Sequence, residues 1–459
     1  MNKADTICSI STPQGIGAIA VIRISGNKAF TTVEKLFMPE FNFKNILPNW
    51  AKFAEIYERD HLIDQVIVVK FKAPHSYTGE DMVEISCHGS LFIQKKIMEM
   101  LIEQGCRTAN AGEFTLRAFL NGKMDLPQAE AIADLIDSQS ETSHKLAINQ
   151  LKGGFSKKMK NLRTQFVEFA SLLELELDFS EEDVQFANRE QLQILLSQIK
   201  EEVTSLMTSF KSGNVLKSGI PVAIIGKPNV GKSTLLNALI QDDRAIVSHI
   251  PGTTRDTIED TFNIEGITFR FIDTAGIRIT KDEIENFGIE RTYKAIEKAD
   301  IILYMIDITK TSIEEIDDEM LFIENEIDLT DKKFIIIANK IDQLNEIPPQ
   351  FNKWNDLNII YLSAKRSVNI DALKEALVNY VNNHHLSENT LLTNVRHYDI
   401  MNKINESIES IEEGFANRIP IDLIAIDVRN ALHYLGLATG EVSTDEILNT
   451  VFGRFCIGK

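Results

Sequence analysis

The 459-residue chain sets 67 acidic against 48 basic side chains, a formal net charge of −19, which excludes a protein that grips nucleic acid through a broad basic surface. No apolar run approaches the roughly 18 residues of a membrane span, and the start, Met1 to Thr6, has no signal-peptide pattern, so the chain is expected in the cytoplasm without a membrane partner. Cys8, Cys87, Cys106 and Cys456 are scattered with no Cys-x-x-Cys pair, which indicates neither a disulfide framework nor a zinc site, and the length suggests about three domains.

From Asp5 to about Leu116 short apolar runs such as Ala18 to Ile24 and Val66 to Phe71 are broken by glycine and proline, with helical stretches between them. This predicts a small α+β domain over residues 1–119. Within it, Ser76 to Asp81, Glu84 to Gly89 and Gly112 to Lys123 mix glycine, acid, base and aromatic residues in a way that suggests a polar pocket. Single members such as Tyr77 or His88 are more often structural than binding groups. From Pro127 the period changes: Leu192, Leu195, Leu196, Ile199, Val203, Leu206 and Phe210 recur every three or four residues, as do apolar positions in Ala129 to Leu151 and Leu162 to Leu177. Residues 120–213 are therefore expected to be helices.

The apolar run Pro221 to Ile225 is followed by Gly226-Lys-Pro-Asn-Val-Gly-Lys-Ser233, a strand, glycine loop and helix start. The glycines let successive N–H groups of Asn229, Val230, Gly231, Lys232, Ser233 and Thr234 face one anion; Lys232 supplies charge to the β/γ-phosphates and Ser233 a hydroxyl to Mg²⁺. Asp273-Thr274-Ala275-Gly276 closes the strand Thr268 to Ile272, placing a carboxylate near that Mg²⁺ and the Gly276 N–H near the γ-phosphate. Asn339-Lys340-Ile341-Asp342 follows the apolar Phe334 to Ala338, and Asp342 there can accept two N–H bonds from a guanine edge, selecting GTP over ATP. Ser363-Ala364-Lys365 completes the base pocket.

The glutamine that orients water in small GTPases is absent, since Ile277 and Arg278 follow Gly276. Asp282, Glu283 and Glu285 lie downstream as candidate carboxylates. No arginine finger is evident, but Asn229 and the segment Ser248-His249-Ile250-Pro251-Gly252-Thr253-Thr254-Arg255-Asp256 can together cage a monovalent cation, with Thr254 a second Mg²⁺ ligand.

After about Asn383 the periodicity is again helical over Val395 to Ile411 and Ile421 to Leu435, and about 75 residues make a marginal core alone. Residues 385–459 are expected to pack on the helices of 120–213, making 214–384 a GTPase domain inserted in a helical one. The terminal Cys456-Ile-Gly-Lys459 is not a prenylation signal, because Gly458 is not aliphatic and Lys459 is a poor terminal residue.

These stretches resemble the MnmE (TrmE) family of tRNA modification GTPases. The resemblance runs through Val21 to Gly26, Tyr77 to Asp81, Glu113 to Leu126, Gln128 to Asp134, Gly252 to Asp256 and the terminal Cys-Ile-Gly-Lys, with Ala111 standing where the family usually has proline. It implies a multidomain α/β protein: a folate-binding-like N-terminal domain that dimerises, an all-α domain, and an inserted Ras-like P-loop domain. It also implies a homodimer that forms a heterotetramer with the flavoprotein MnmG, which carries FAD, and modifies C5 of the wobble uridine of certain tRNAs with a carboxymethylaminomethyl or aminomethyl group. The one-carbon unit would come from 5,10-methylenetetrahydrofolate, with the 5-formyl form as an analogue. Arg23, Glu84, Lys123 and Lys459 would contact this folate with Cys456 near the reacting region; Asn229 and the backbone at Ser248, Ile250 and Thr253 would hold K⁺; Glu285 would orient the hydrolytic water.

Two other classes share parts of the pattern. A ribosome-assembly GTPase would have the nucleotide motifs but also a basic RNA-binding module, which no run here supplies. A stand-alone one-carbon transferase would have the N-terminal pocket without a GTP switch.

Overall fold

The computed structural model describes residues 5–38, 41–180, 189–242, 261–272, 295–312, 314–316, 318, 321, 332–346, 359–384, 392–453, 455 and 458. Spatial proximity groups the chain into two compact units, one of residues 1–136, 148–200 and 402–459, the other of 137–147 and 201–401.

The first unit begins with a six-stranded sheet. Its strands are β1 (Ile7–Ile10), β2 (Ile19–Ser25), β3 (Ala51–Glu58), β4 (His61–Phe71), β5 (Met82–His88) and β6 (Arg107–Thr108), in the order β3-β4-β5-β2-β1-β6. All neighbours are antiparallel except β1 and β6. Strand alternation sends Ala20, Ile22 and Ile24 of β2, Val66 and Val68 of β4 and Ile85 and Cys87 of β5 to one buried face. That face is covered by α1 (Ala29–Glu34) and α2 (Leu91–Glu103), through Ala29, Val33, Ile97 and Leu101. Val21, Arg23 and Glu84 alternate to the other face, where they are half-buried.

Helix α3 (Glu113–Leu120) starts at Gly112, whose φ of +65° admits the sharp entry and whose added Cβ would collide with the Phe452 carbonyl. Glu113, 1 % exposed, takes a fork from Arg107 at 2.6 and 3.0 Å, a bond from Arg117 at 3.1 Å and one from the Asn110 N–H at 2.8 Å. Arg117 also reaches Asp5 at 2.6 Å and Glu80 at 3.1 Å. Two guanidinium groups and three carboxylates thus tie the first strand, the 74–81 loop and α3 together.

Helices α4 (Leu126–Asp137), α5 (Glu141–Leu151), α6 (Gly154–Ser180) and α7 (Arg189–Ser218) follow. The three-and-four spacing buries Phe155, Met159, Leu162, Phe166, Phe169 and Leu173 of α6 and Leu192, Leu196, Ile199, Val203 and Leu206 of α7.

In the second unit, β7 (Ile220–Ile225), β8 (Thr261–Ile264), β9 (Ile267–Phe271), β10 (Ile301–Asp307), β11 (Lys333–Asn339) and β12 (Ile359–Leu362) form a sheet ordered β12-β11-β10-β7-β9-β8. Only β8 runs antiparallel to its neighbour. Both faces of β7 and β10 are buried along their whole length, as the apolar runs Ile220–Ile225 and Ile301–Ile306 require of central parallel strands. Helices α8 (Lys232–Asp242) and α9 (Ile370–His384) add Leu235, Leu236, Leu239, Leu373 and Leu377 to the core on one face. The β8–β9 turn passes through Glu265 and Gly266 at φ +50° and +79°, the pair of positive values a tight hairpin needs. The Gly266 carbonyl accepts the Thr142 N–H of α5 at 3.1 Å, so residues 137–147 lie with this unit.

The tail forms α10 (Val395–Ala416), α11 (Ile421–Thr439) and α12 (Asp445–Phe452). In the first unit α11 packs along α6, Phe415 meets Phe169 edge-on at 6.3 Å, and Lys200 pairs with Glu412 at 2.5 Å. Among the described residues no helix is long and apolar enough to cross a membrane.

Glu113→Ala removes a partner of the buried Arg117 guanidinium and the fork held by the half-exposed Arg107, so it should cost the β6–α3 segment about 3 kcal/mol of local stability, read as lost amide-exchange protection. Burial alone would raise the Glu113 carboxyl, but Arg107, the Asn110 N–H and Arg117 outweigh it and hold it below its ordinary value. Its stabilisation is therefore complete above the unfolded glutamate value of about 4.5 and is lost as pH falls from there through the depressed folded value. Protection that declines already between pH 7 and 5.5 would contradict this assignment.

Candidate functional site

The C-terminal edge of the second sheet gathers the motif loops. Beyond β7 the chain turns at Gly226, φ +140°, where a side chain would strike the Met305 carbonyl, and again at Gly231, φ +109°, where an added Cβ would strike Asn339 Nδ2. The phosphate loop thus lies directly against the sheet edge, and only glycine permits that approach. Helix α8 opens at Lys232, whose ammonium folds back to donate to the carbonyls of Gly226 and Lys227. Burial pushes this amine below its ordinary lysine value. Ser233 and Thr234, in the first turn, are exposed. The N-terminus of α8 faces the loop with its unpaired N–H groups, a setting for phosphate.

Asn339 ends β11 and is 3 % exposed. Its Nδ2 donates to the Val230 carbonyl at 2.8 Å and its Oδ1 accepts the Ala364 N–H at 2.9 Å, so one side chain joins the phosphate loop to the Ser363–Lys365 turn. Lys340, at φ +72°, donates from Nζ to the Asn229 carbonyl at 2.9 Å and to Asp307 Oδ2 at 2.6 Å. Ser363, fully buried, donates from Oγ to Asp342 Oδ1 at 2.6 Å and is held by two backbone bonds to Val368. That hydroxyl keeps the Asp342 carboxyl below its usual value, so the group is an anionic acceptor at neutral pH. The Arg366 Nε lies 3.7 Å from its Oδ2.

Of the residues singled out in the sequence, the structure brings together Asn229, Val230, Gly231, Lys232, Asn339, Lys340, Asp342, Ser363 and Ala364, with Ser233 and Thr234 on the adjoining helix and Lys365 exposed in the turn. Ser248, His249, Ile250, Pro251, Gly252, Thr253, Thr254, Asp273, Thr274, Ala275, Gly276 and Glu285 lie outside the described residues, as do Cys456 and Lys459. Asp307 carries no motif and was missed; its only signal is an acid closing a buried apolar strand.

In the first unit, Arg23 and Glu84 are cross-strand neighbours on β2 and β5. The Arg23 Nε and Nη2 both address Glu84 Oε1, at 2.9 and 2.8 Å, and the guanidinium lies 5.1 Å from the Tyr77 ring centroid and 5.6 Å from that of Phe114. Tyr77 bonds Thr115 at 2.8 Å. The Lys123 Nζ donates to the Pro74 carbonyl at 3.0 Å and Asn121 Nδ2 to that of Thr78 at 2.8 Å, so α3 is tied to the loop bearing Tyr77. The tail reaches this unit's first strand: Phe452 and Phe455 pack with Leu116 and Leu126, and Ser11 Oγ donates to the Gly458 carbonyl at 3.0 Å.

A mostly parallel sheet with a glycine phosphate loop on its central strand and an aspartate set for a guanine edge defines a P-loop guanine-nucleotide-binding domain. The sequence profile described as MnmE helical domain matches residues 126–456, and that described as GTP-binding protein TrmE N-terminus matches 6–123. The tRNA modification GTPase MnmE of Flavobacterium psychrophilum is 49% identical over 461 residues, 99% of each chain. Those of Christiangramia forsetii, at 47%, and Flavobacterium johnsoniae, at 49%, are matched over 100% of both chains. The chain belongs to the MnmE family of tRNA modification GTPases.

Exchanging Asp342 for Asn removes an acceptor facing the two guanine N–H groups, so D342N should weaken GDP about 10- to 100-fold and improve binding of xanthosine diphosphate, whose C2 carbonyl replaces the amine. Competitive titration with a fluorescent nucleotide reads both; GDP affinity equal to wild type would remove Asp342 from the base pocket.

Proposed function

We propose that the chain is a K⁺-dependent GTP hydrolase that works as a homodimer with the flavoprotein MnmG to modify C5 of the wobble uridine of certain tRNAs, using a tetrahydrofolate one-carbon unit. The observation that carries the GTPase part is the hydrogen-bonded union of phosphate loop, Asn339 and the Asp342–Ser363 pair on one sheet edge. Family membership over the full length supports the tRNA part. In this reading residues 214–384 are a GTPase domain inserted into a helical domain of 120–213 and 385–459, behind an N-terminal domain of 1–119.

Lys232 would leave its two carbonyls for the β/γ-phosphates, a short move because its stem already crosses the loop. An exposed Ser233 hydroxyl at the start of α8 suits Mg²⁺, which takes few protein ligands beside phosphate oxygens and water; Thr254 would be the second. Asn229 stands at φ +64° with its own carbonyl engaged by Lys340, leaving its side-chain amide oxygen for K⁺ beside Ser248, Ile250 and Thr253. K⁺ bound there supplies the positive charge that an arginine finger gives elsewhere. Glu285 would orient the attacking water. In the N-terminal pocket, Glu84, oriented by Arg23, can accept the N–H groups of a pterin ring beside Tyr77 and Phe114, while Lys123 and Lys459 suit a folate's carboxylates. Tetrahydrofolate bound there supplies the one-carbon unit, with Cys456 near it. The acidic chain leaves most tRNA contact to the basic surface of a partner.

GTP turnover in K⁺ against Na⁺ at equal ionic strength tests this, with oligomeric state followed in GDP plus aluminium fluoride. Stimulation by K⁺ of about tenfold or more with association of the GTPase domains is expected. Equal rates in both salts would sink the K⁺ role of Asn229 and favour a ribosome-assembly GTPase.

A further inference from the structure

Asp307 closes β10 and is 5 % exposed. Both of its carboxylate oxygens are engaged. Its Oδ1 takes the Thr309 N–H at 3.1 Å and the Thr309 hydroxyl at 2.6 Å; its Oδ2 takes Lys340 Nζ at 2.6 Å. Its carbonyl accepts the N–H groups of Lys310 and Thr311 and the Thr311 hydroxyl, so the backbone around it is fixed independently of the carboxylate. The ammonium that Asp307 holds is the one that donates to the Asn229 carbonyl at 2.9 Å.

Asn229 and Lys340 both stand at positive φ, +64° and +72°, a region that residues with a Cβ avoid. One cation pins both. Left alone, a lysine on a surface turn samples many rotamers; here Thr309 fixes the carboxylate, the carboxylate fixes the ammonium, and the ammonium fixes the phosphate loop. A neutral acceptor could bond one N–H but would not offset a partly desolvated charge.

We infer that Asp307 is a positioning residue of the nucleotide site: it holds the Lys340 ammonium on the Asn229 carbonyl, so that the base-reading turn and the phosphate loop keep one spacing when guanine nucleotide binds. This rests on the GTP reading above. The role lies in binding rather than in the chemical step, because Asp307 reaches the loop only through Lys340.

The test uses the full chain in five forms: wild type, D307N, D307E, Lys340→Met and the D307N/Lys340→Met double variant. Dissociation constants for fluorescent GDP and GTP, kcat and KM for hydrolysis, and melting without nucleotide are measured. D307N should weaken both nucleotides about tenfold or more and raise KM, with kcat within about twofold of wild type. On the Lys340→Met background D307N should add nothing, since the interaction it removes is already gone. D307E, which keeps the charge, should recover part of the affinity even if D307N folds poorly. Normal GDP affinity in D307N, a lowered melting point without loss of affinity, or additive losses in the double variant would each overturn the role of Asp307. A wild-type chain that does not bind GDP would overturn the GTP reading beneath it.

Discussion

The second unit is organised around a buried amide. Asn339 sits at a sheet edge with almost no water available, and its amide donates to Val230 on one side and accepts from Ala364 on the other. The contact is possible only because Gly231 has no side chain; a methyl group there would occupy the position of the Asn339 amide. Steric permission at one residue and hydrogen-bond demand at another therefore fix the distance between phosphate loop and base turn before a nucleotide arrives. Ser363 extends the same logic to Asp342, holding the carboxylate by one oxygen so that the group is already oriented.

A comparable constraint governs the N-terminal pocket. Glu113 is almost fully buried and is stable as an anion only because two arginines and a backbone N–H surround it. Arg117 carries the network to Asp5 and Glu80, and Glu80 accepts the Ser25 hydroxyl at 2.8 Å. The end of β2 and the loop carrying Tyr77 are thereby held from behind, while the Arg23–Glu84 pair faces outward. In both units an inner polar network, fully paired, positions an outer group that keeps hydrogen-bonding capacity to spare.

The nucleotide loops were legible in the sequence because their chemistry is local: glycines, lysine and serine within eight residues, each loop following an apolar strand. The helices of α6 and α7 were legible for the same reason, since burial at a period of 3.6 leaves a trace along the chain. Long-range pairings leave none. Asp5 and Arg117, or Lys340 and Asp307, are distant in sequence, and each acid alone resembles an ordinary surface carboxylate. The apolar spacing over Ala129 to Leu151 announced helices but not their neighbours, and nothing in it shows that the start of α5 lies with the GTPase sheet.

That placement has a mechanical consequence. The β8–β9 hairpin joins two segments, 243–260 and 273–294, to which the sequence assigns the cation ligands and the γ-phosphate contact. At its tip the Gly266 carbonyl takes the Thr142 N–H, one of the donors that the first turn of any helix leaves unpaired. A Cβ on Gly266 would stand 2.8 Å from that of Glu141, so the helix end and the turn are in direct contact as well as hydrogen-bonded. A shift of the hairpin along its axis must either carry the start of α5 with it or take the acceptor away from that donor, at a cost of about 1 kcal/mol. The helix start therefore belongs to the mechanical surroundings of the nucleotide site, although no residue of α5 reads as part of it.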